Sequence, residues 1–122
     1  MAATSDLILQ NYAAVNVTFT PSVAVAGGFQ YADTSASPAS PRTLTVKHAL
    51  LAANAANGTE THSLRFGHTV ADSLGAMRTA SATLTFRIPR SGPNLANRRD
   101  LWSFVKNFLT DANVEKLALG GF

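Results

Sequence analysis

Hydroxyl and cationic side chains alternate with apolar ones along three stretches of the chain, and these stretches carry the residues with chemical reach. Thr43, Thr45 and Lys47 alternate with Leu44, Val46, His48 and Leu50. Ser63 and Arg65 alternate with Leu64 and Phe66, and Ser81, Thr83, Thr85 and Arg87 alternate with Ala80, Ala82, Leu84, Phe86 and Ile88. Lys and Arg neutralise phosphates, and hydroxyls donate to or accept from base edges and phosphate oxygens. A surface of this kind suits a folded or single-stranded RNA loop with its bases splayed out. Thr-rich positions are also ordinary solvent-facing strand residues. What favours nucleic acid is the addition of Lys47, Arg65 and Arg87, with no carboxylate among the same positions. No Phe, Tyr or Trp falls among them either, so the face offers no ring for base stacking.

Other chemistry finds little support. His48, His62 and His68 fall on the apolar side of the alternation, and pairing across a turn brings His48 near His62. Metal sites want three or four ligands in a supported shell, so packed or interface histidines are the reading and no metal is expected. The acidic residues Asp6, Asp33, Glu60, Asp72, Asp100, Asp111 and Glu115 form no pair spaced for acid–base work. No phosphate-binding glycine loop or nucleophile elbow occurs. The sequence therefore reads as a non-enzyme with no cofactor.

These side chains need a sheet to present them. Leu7 and Leu9, then Val15, Val17 and Phe19, predict an N-terminal hairpin turning at Asn11 to Ala14 and ended by Pro21. Gly27-Gly28 opens a short strand, Phe29 to Asp33, and two prolines make Thr34 to Pro41 a loop. Longer strands follow at Thr43 to Leu51, Thr61 to Thr69 and Met77 to Ile88. Strict period two predicts one greasy and one wet side. A two-residue turn at Asn57-Gly58 would set Leu44 and Val46 against polar residues. A three-residue loop, Ala56 to Gly58, or a longer loop of odd length keeps the faces matched.

Arg90-Ser91-Gly92-Pro93 breaks the pattern. Beyond it Leu101, Trp102, Phe104, Val105, Phe108 and Leu109 recur at helical spacing over an arc of roughly 160°. Asp111 is positioned to cap a second helix containing Val114, Leu117 and Ala118, stopped by Gly120-Gly121. Strands followed by helices argue α+β, with helices on one face of an antiparallel sheet.

The bulk numbers agree. A chain of 122 residues predicts one domain, 1–122, made of a sheet region 1–90 and a helical segment 91–122. Hydrophobic residues at 46% exclude a disordered chain, and only 14% charged residues suggest a surface covered by other subunits. A net charge of +3 binds polyanions weakly in one copy and strongly when many copies face one cavity. There is no cysteine, hence no disulfide. Met1 to Gln10 lacks the features of a signal peptide, and no apolar run is long enough to span a membrane.

The ordered sum of segments resembles the coat proteins of single-stranded RNA bacteriophages, the levivirus type, over essentially the whole chain. Ala82-Thr83-Leu84-Thr85-Phe86-Arg87-Ile88-Pro89 resembles their last strand and its exit. Arg98-Arg99-Asp100-Leu101-Trp102-Ser103-Phe104-Val105 and Thr110-Asp111-Ala112-Asn113-Val114-Glu115-Lys116-Leu117 resemble their helices. Thr43-Leu44-Thr45-Val46 and Ser63-Leu64-Arg65-Phe66 resemble central strands.

The resemblance implies a homodimer with sheets edge to edge, each chain's helices lying across the partner's sheet through Leu101, Trp102, Phe104, Val105, Phe108, Leu109, Val114 and Leu117. It implies an icosahedral shell, T=3 in type, assembled in the bacterial host cytoplasm, with viral RNA on the inner sheet face. It further implies translational repression through a stem-loop at the replicase start. Thr45, Ser63, Arg65, Thr83 and Thr85 match positions that contact this hairpin in relatives. Lys47 aligns with either of two such positions, and Ser81 stands where a relative stacks a base on a ring. Thr43 and Arg87 join them by face alone. The loop Val70 to Ala76 corresponds to the one that meets around symmetry axes. The competing expectation is a dimeric β-sheet RNA-binding regulator that never assembles.

Overall fold

The computed structural model describes residues 5–121, so the reading of Met1 to Gln10 lies partly outside the described residues. Six strands run β1 (Leu7–Gln10), β2 (Asn16–Val25), β3 (Gly28–Asp33), β4 (Arg42–Ala49), β5 (Thr59–Ala71) and β6 (Met77–Pro89). Helices α1 (Leu95–Phe108) and α2 (Asp111–Ala118) follow. The strands form one antiparallel meander in sequence order.

The sheet is curled. Phe19 on β2 and Phe66 on β5 are three strand spacings apart, about 14 Å in a flat sheet. Their rings nevertheless meet edge to face with centroids 6.2 Å apart. The β1–β2 hairpin therefore folds over the apolar side of the central strands. Between them lies the core: Val17, Phe19 and Leu44, with Tyr31, Val46, Leu64 and Phe66 packed around them. At the hairpin's edge Asp33 is buried, its carboxylate 2.8 Å from the Arg42 guanidinium. Burial opposes ionisation of Asp33, but the Ser35 hydroxyl and amide, together with Arg42, outweigh it and lower the carboxyl's pKa.

Three features differ from the sequence expectation. Pro21 does not end β2, because the strand continues to Val25 through a register shift at Ser22. β1 pairs only with residues 16–19 of β2. Pro21 thus lies where β2 is unpaired on one side, and its missing N–H leaves no ladder bond broken. The β4–β5 connection is the longer odd-length loop and not the three-residue one: pairing ends at Ala49 opposite Thr61, and the loop spans residues 50–58. Its length is odd, so the faces still match. The reason for the long loop lies far along the chain. Arg90 Nη1 donates to the carbonyls of Ala52, Ala53 and Ala55, its backbone N–H donates to Gly58 O, and Nη2 lies 3.7 Å from Glu60. Gly58 takes φ +114°, a conformation that L side chains rarely adopt.

The third difference is at the helices. α1 starts at Leu95 with a reciprocal cap: Asn94 Oδ1 accepts from the Asn97 amide and Asn97 Oδ1 from the Asn94 amide. Thr110, not Asp111, caps α2; its hydroxyl accepts from Asn113 N at 3.3 Å, while Asp111 sits in the first turn near the positive end of the helix dipole. Neither helix buries a single residue.

Candidate nucleic-acid interface

The register aligns the wet side in rows across the sheet. Thr43 stands opposite Gly67, which stands opposite Ser81. The next row is Gln30, Thr45, Arg65 and Thr83, and the next Gly28, Lys47, Ser63 and Thr85. A last row sets Ala49 against Thr61 and Arg87. All nine expected residues, Thr43, Thr45, Lys47, Ser63, Arg65, Ser81, Thr83, Thr85 and Arg87, thus share one face. Lys47, Arg65, Ser81, Thr83, Thr85 and Arg87 are exposed; Thr43, Thr45 and Ser63 are half-buried.

The electrostatics of this face are one-sided. The described ion pairs engage Arg42, Arg78 and Arg90, and none of them involves Lys47, Arg65 or Arg87. Among the described residues, the carboxylates of β3–β6 lie elsewhere: Asp33 is buried and Glu60 is paired with Ile88 on the apolar side. Asp72 is held in the β5–β6 turn, where it accepts from the Leu74 and Ala76 amides and pairs with Arg78. Those bonds, the Leu74 and Ala76 amides first, hold the Asp72 carboxyl below its usual range. The turn spans residues 72–76 and is fixed by its own hydrogen bonds.

Gln30 belongs to this face and was not among the expected residues. The β3–β4 loop, residues 34–41, has an even number of residues, so it joins even positions of β3 to odd positions of β4. Phe29 and Tyr31 being odd and apolar was the available signal. Thr61, Thr69 and Thr79 extend the hydroxyl rows, and the last two share a 2.7 Å bond across β5–β6.

The opposite face carries Leu44, Val46, Leu64, Phe66, Leu84, Phe86 and Ile88. The hairpin covers its β3–β5 part, whereas Ala80 and Ala82 on β6 stay exposed. The helices' apolar residues are open too: Leu101 is 46%, Phe104 70% and Leu117 56% exposed. Trp102, Phe108, Leu109 and Val114 are also exposed and Val105 is half-buried. A hollow of about 690 Å³ opens between Leu9, Val17, Phe19, Phe66 and Leu109. The helices were expected to cover a partner's sheet; within one chain they leave their own sheet's apolar side open.

His48 and His62 are cross-strand partners with Nδ1 atoms 2.7 Å apart, one ring donating and the other accepting. His68 lies six residues further along β5, opposite Ala80. Among the described residues, no three His, Cys, Asp or Glu side chains are grouped as metal ligands. No helix among them is long and apolar enough to cross a membrane.

Neither a protein-family model nor a curated protein matches the sequence. Solved structures do match. The chain is similar to the virus-like particle of bacteriophage GQ-907, with TM-score 0.74 and 20% identity over 98% of this chain and 91% of that one. It is similar to the virus-like particle of Beihai levi-like virus 21, with TM-score 0.70 and 14% identity over 99% and 97%. The bacteriophage GA capsid protein aligns at TM-score 0.59 and 16% identity over 96% and 95%. The chain has the levivirus coat-protein fold. In this coat fold the six-stranded curled sheet comes first and the two helices last, as the resemblance implied.

Proposed function

We propose that the protein is a viral capsid subunit that dimerises, closes into an icosahedral shell and holds RNA on the wet face of its sheet. The observation that carries this reading is the fit of the coat fold over nearly the whole length of both chains, in subunits that form virus-like particles. The open apolar surfaces support it. A single copy leaves Leu101, Trp102, Phe104 and Leu117 in water and Ala80 and Ala82 of β6 uncovered, and apolar side chains exposed in such number mark an interaction face. A second copy supplies the matching surface: its helices cover β6, and its β6 edge pairs with this one. In this reading residues 1–122 are one coat domain, with 1–90 as the sheet and 91–122 as the dimerisation segment.

Joined edge to edge, two wet faces become one, and six cations from Lys47, Arg65 and Arg87 look into the shell. The virion is then the protein's location, after assembly in the bacterial cytoplasm, and T=3 is the shell expected of the resemblance. Repression of replicase translation would demand more: the face would have to tell one RNA hairpin from another.

Expression of the full chain alone, followed by sedimentation analysis and negative-stain microscopy, tests the proposal. Closed particles that carry nucleic acid support it. A dimer that binds RNA and never closes would replace it with the non-assembling regulator, and a monomer without RNA would remove both.

A further inference from the structure

We infer that the wet face reads the RNA backbone rather than its bases, so that the protein binds and packages RNA with little sequence preference. The inference rests on the RNA-binding reading and goes on to name the mode of recognition.

A splayed base is held by a ring to stack on or a pocket that encloses it, and is told from other bases by fixed side-chain groups aimed at its edges. The rings are elsewhere. Among the described residues Phe19, Phe29, Tyr31, Phe66 and Phe86 all lie on the apolar side by register. Trp102, Phe104 and Phe108 are on α1, and Tyr12 is in the β1–β2 turn. Walls are missing too. Gly67 stands in the middle of its row between the short side chains of Thr43 and Ser81, and Gly28 heads the row that continues with Lys47, Ser63 and Thr85. A splayed base meets no ring here, and the hydroxyls that could touch its edges serve phosphate and ribose oxygens equally well.

What the platform does offer is spaced positive charge among hydroxyls. Lys47 and Arg65 lie on adjacent strands, two residues out of register, which separates their backbones by about 8 Å. Arg87 lies on the third strand, roughly 12 Å from Lys47 by the same spacing. Successive positions of a nucleic-acid backbone fall within reach of long, mobile side chains at such intervals, and hydroxyls between them suit phosphate oxygens and ribose 2′-OH groups. Gln30 is the sole wet-face amide on β3–β6, and a single amide gives little discrimination.

The experiment uses the full-length protein stripped of host RNA. Its binding to equal-length A-rich, U-rich and mixed oligoribonucleotides and to a randomised hairpin pool is measured by fluorescence anisotropy at several salt concentrations. Affinities should agree within about tenfold across sequences. The slope of log affinity against log salt should be near −4 for a dimer with six phosphate contacts, at about −0.7 per contact on single strands. Arg65→Ala in both subunits should lower that slope by about 1.4 and weaken every RNA alike. Selection of one hairpin family bound a hundredfold tighter than its shuffled versions would overturn the inference and leave the RNA-binding reading intact. Absence of binding to every RNA at low salt, by folded protein, would overturn the RNA-binding reading and the inference with it.

Discussion

Phe66 and Arg65 are neighbours in β5 whose replacement should have opposite consequences. Phe66 faces the curled hairpin, stacks edge to face on Phe19 and packs against the Val17–Phe19–Leu44 core. Truncating a buried Phe to Ala costs about 3–5 kcal/mol from lost transfer energy and the cavity left behind. Phe66 is half-buried in the single chain, so the cost falls about 1 kcal/mol below that range, to about 2–4 kcal/mol. With about 3–5 °C per kcal/mol for a chain of this size, Phe66→Ala should lower the melting temperature by roughly 6–20 °C. Arg65 is exposed on the other side and makes none of the described ion pairs. Arg65→Ala should change stability by no more than about 0.5 kcal/mol, as surface substitutions do, while weakening RNA binding. Thermal melts at one fixed protein concentration, paired with RNA-binding titrations, separate the two. A destabilised Arg65→Ala alongside an unaffected Phe66→Ala would show that the faces are assigned the wrong way round.

Other expectations are as specific. A Cβ on Gly28 would lie 1.8 Å from the Val46 carbonyl oxygen, and backbone cannot rotate aside as a side chain can. Gly28→Ala should therefore reach or exceed the top of the usual overpacking range of about 1–3 kcal/mol, measured by urea unfolding; a neutral result would mean that β3 and β4 are not paired in this register. Phe104, 70% exposed in one chain, should matter between chains: Phe104→Asp should leave the circular dichroism of the sheet unchanged but shift sedimentation toward monomer. If the variant sediments like the parent protein, α1 is not the dimer surface. For Asp33, whose folded-state carboxyl is lowered from 3.8, the stabilisation is present above that ordinary value and is lost as pH falls through the lowered one. Asp33→Asn should thus lower stability at neutral pH and flatten its acid dependence; parallel pH profiles for the two proteins would contradict the pairing with Arg42.

The parts of this fold legible in the sequence were those that depend on near neighbours. Alternation through Thr43–Ala49, Ser63–Phe66 and Ala80–Ile88 states which side chains share a face, and an odd-length connection follows from the need to match Leu44 and Val46 with Leu64 and Phe66. The apolar spacing from Leu101 to Leu109 likewise announces a helix. What stayed hidden depends on residues distant in the chain. The loop is nine residues long because Arg90 reaches back to the carbonyls of Ala52, Ala53 and Ala55, and nothing within residues 50–58 says so. Pro21 read as a strand end because its tolerance depends on β1 being short enough to leave that side of β2 unpaired. The curl that brings Phe19 to Phe66 is a property of the whole sheet. Gln30 was overlooked because its parity depends on where β4 begins: with a strand starting at Thr43 the connection 34–42 is odd, and Arg42 joining β4 makes it even.

A three-dimensional reconstruction of the assembled particle by electron cryomicroscopy tests the central claim most directly, because it fixes which side of the sheet looks inward. The account predicts Lys47, Arg65 and Arg87 lining the lumen against RNA density, with β6 roofed on its outer side by helices of the partner subunit. A shell in which Val46, Phe66 and Phe86 faced the RNA, with Thr45 and Thr85 packed under a helix, would contradict it.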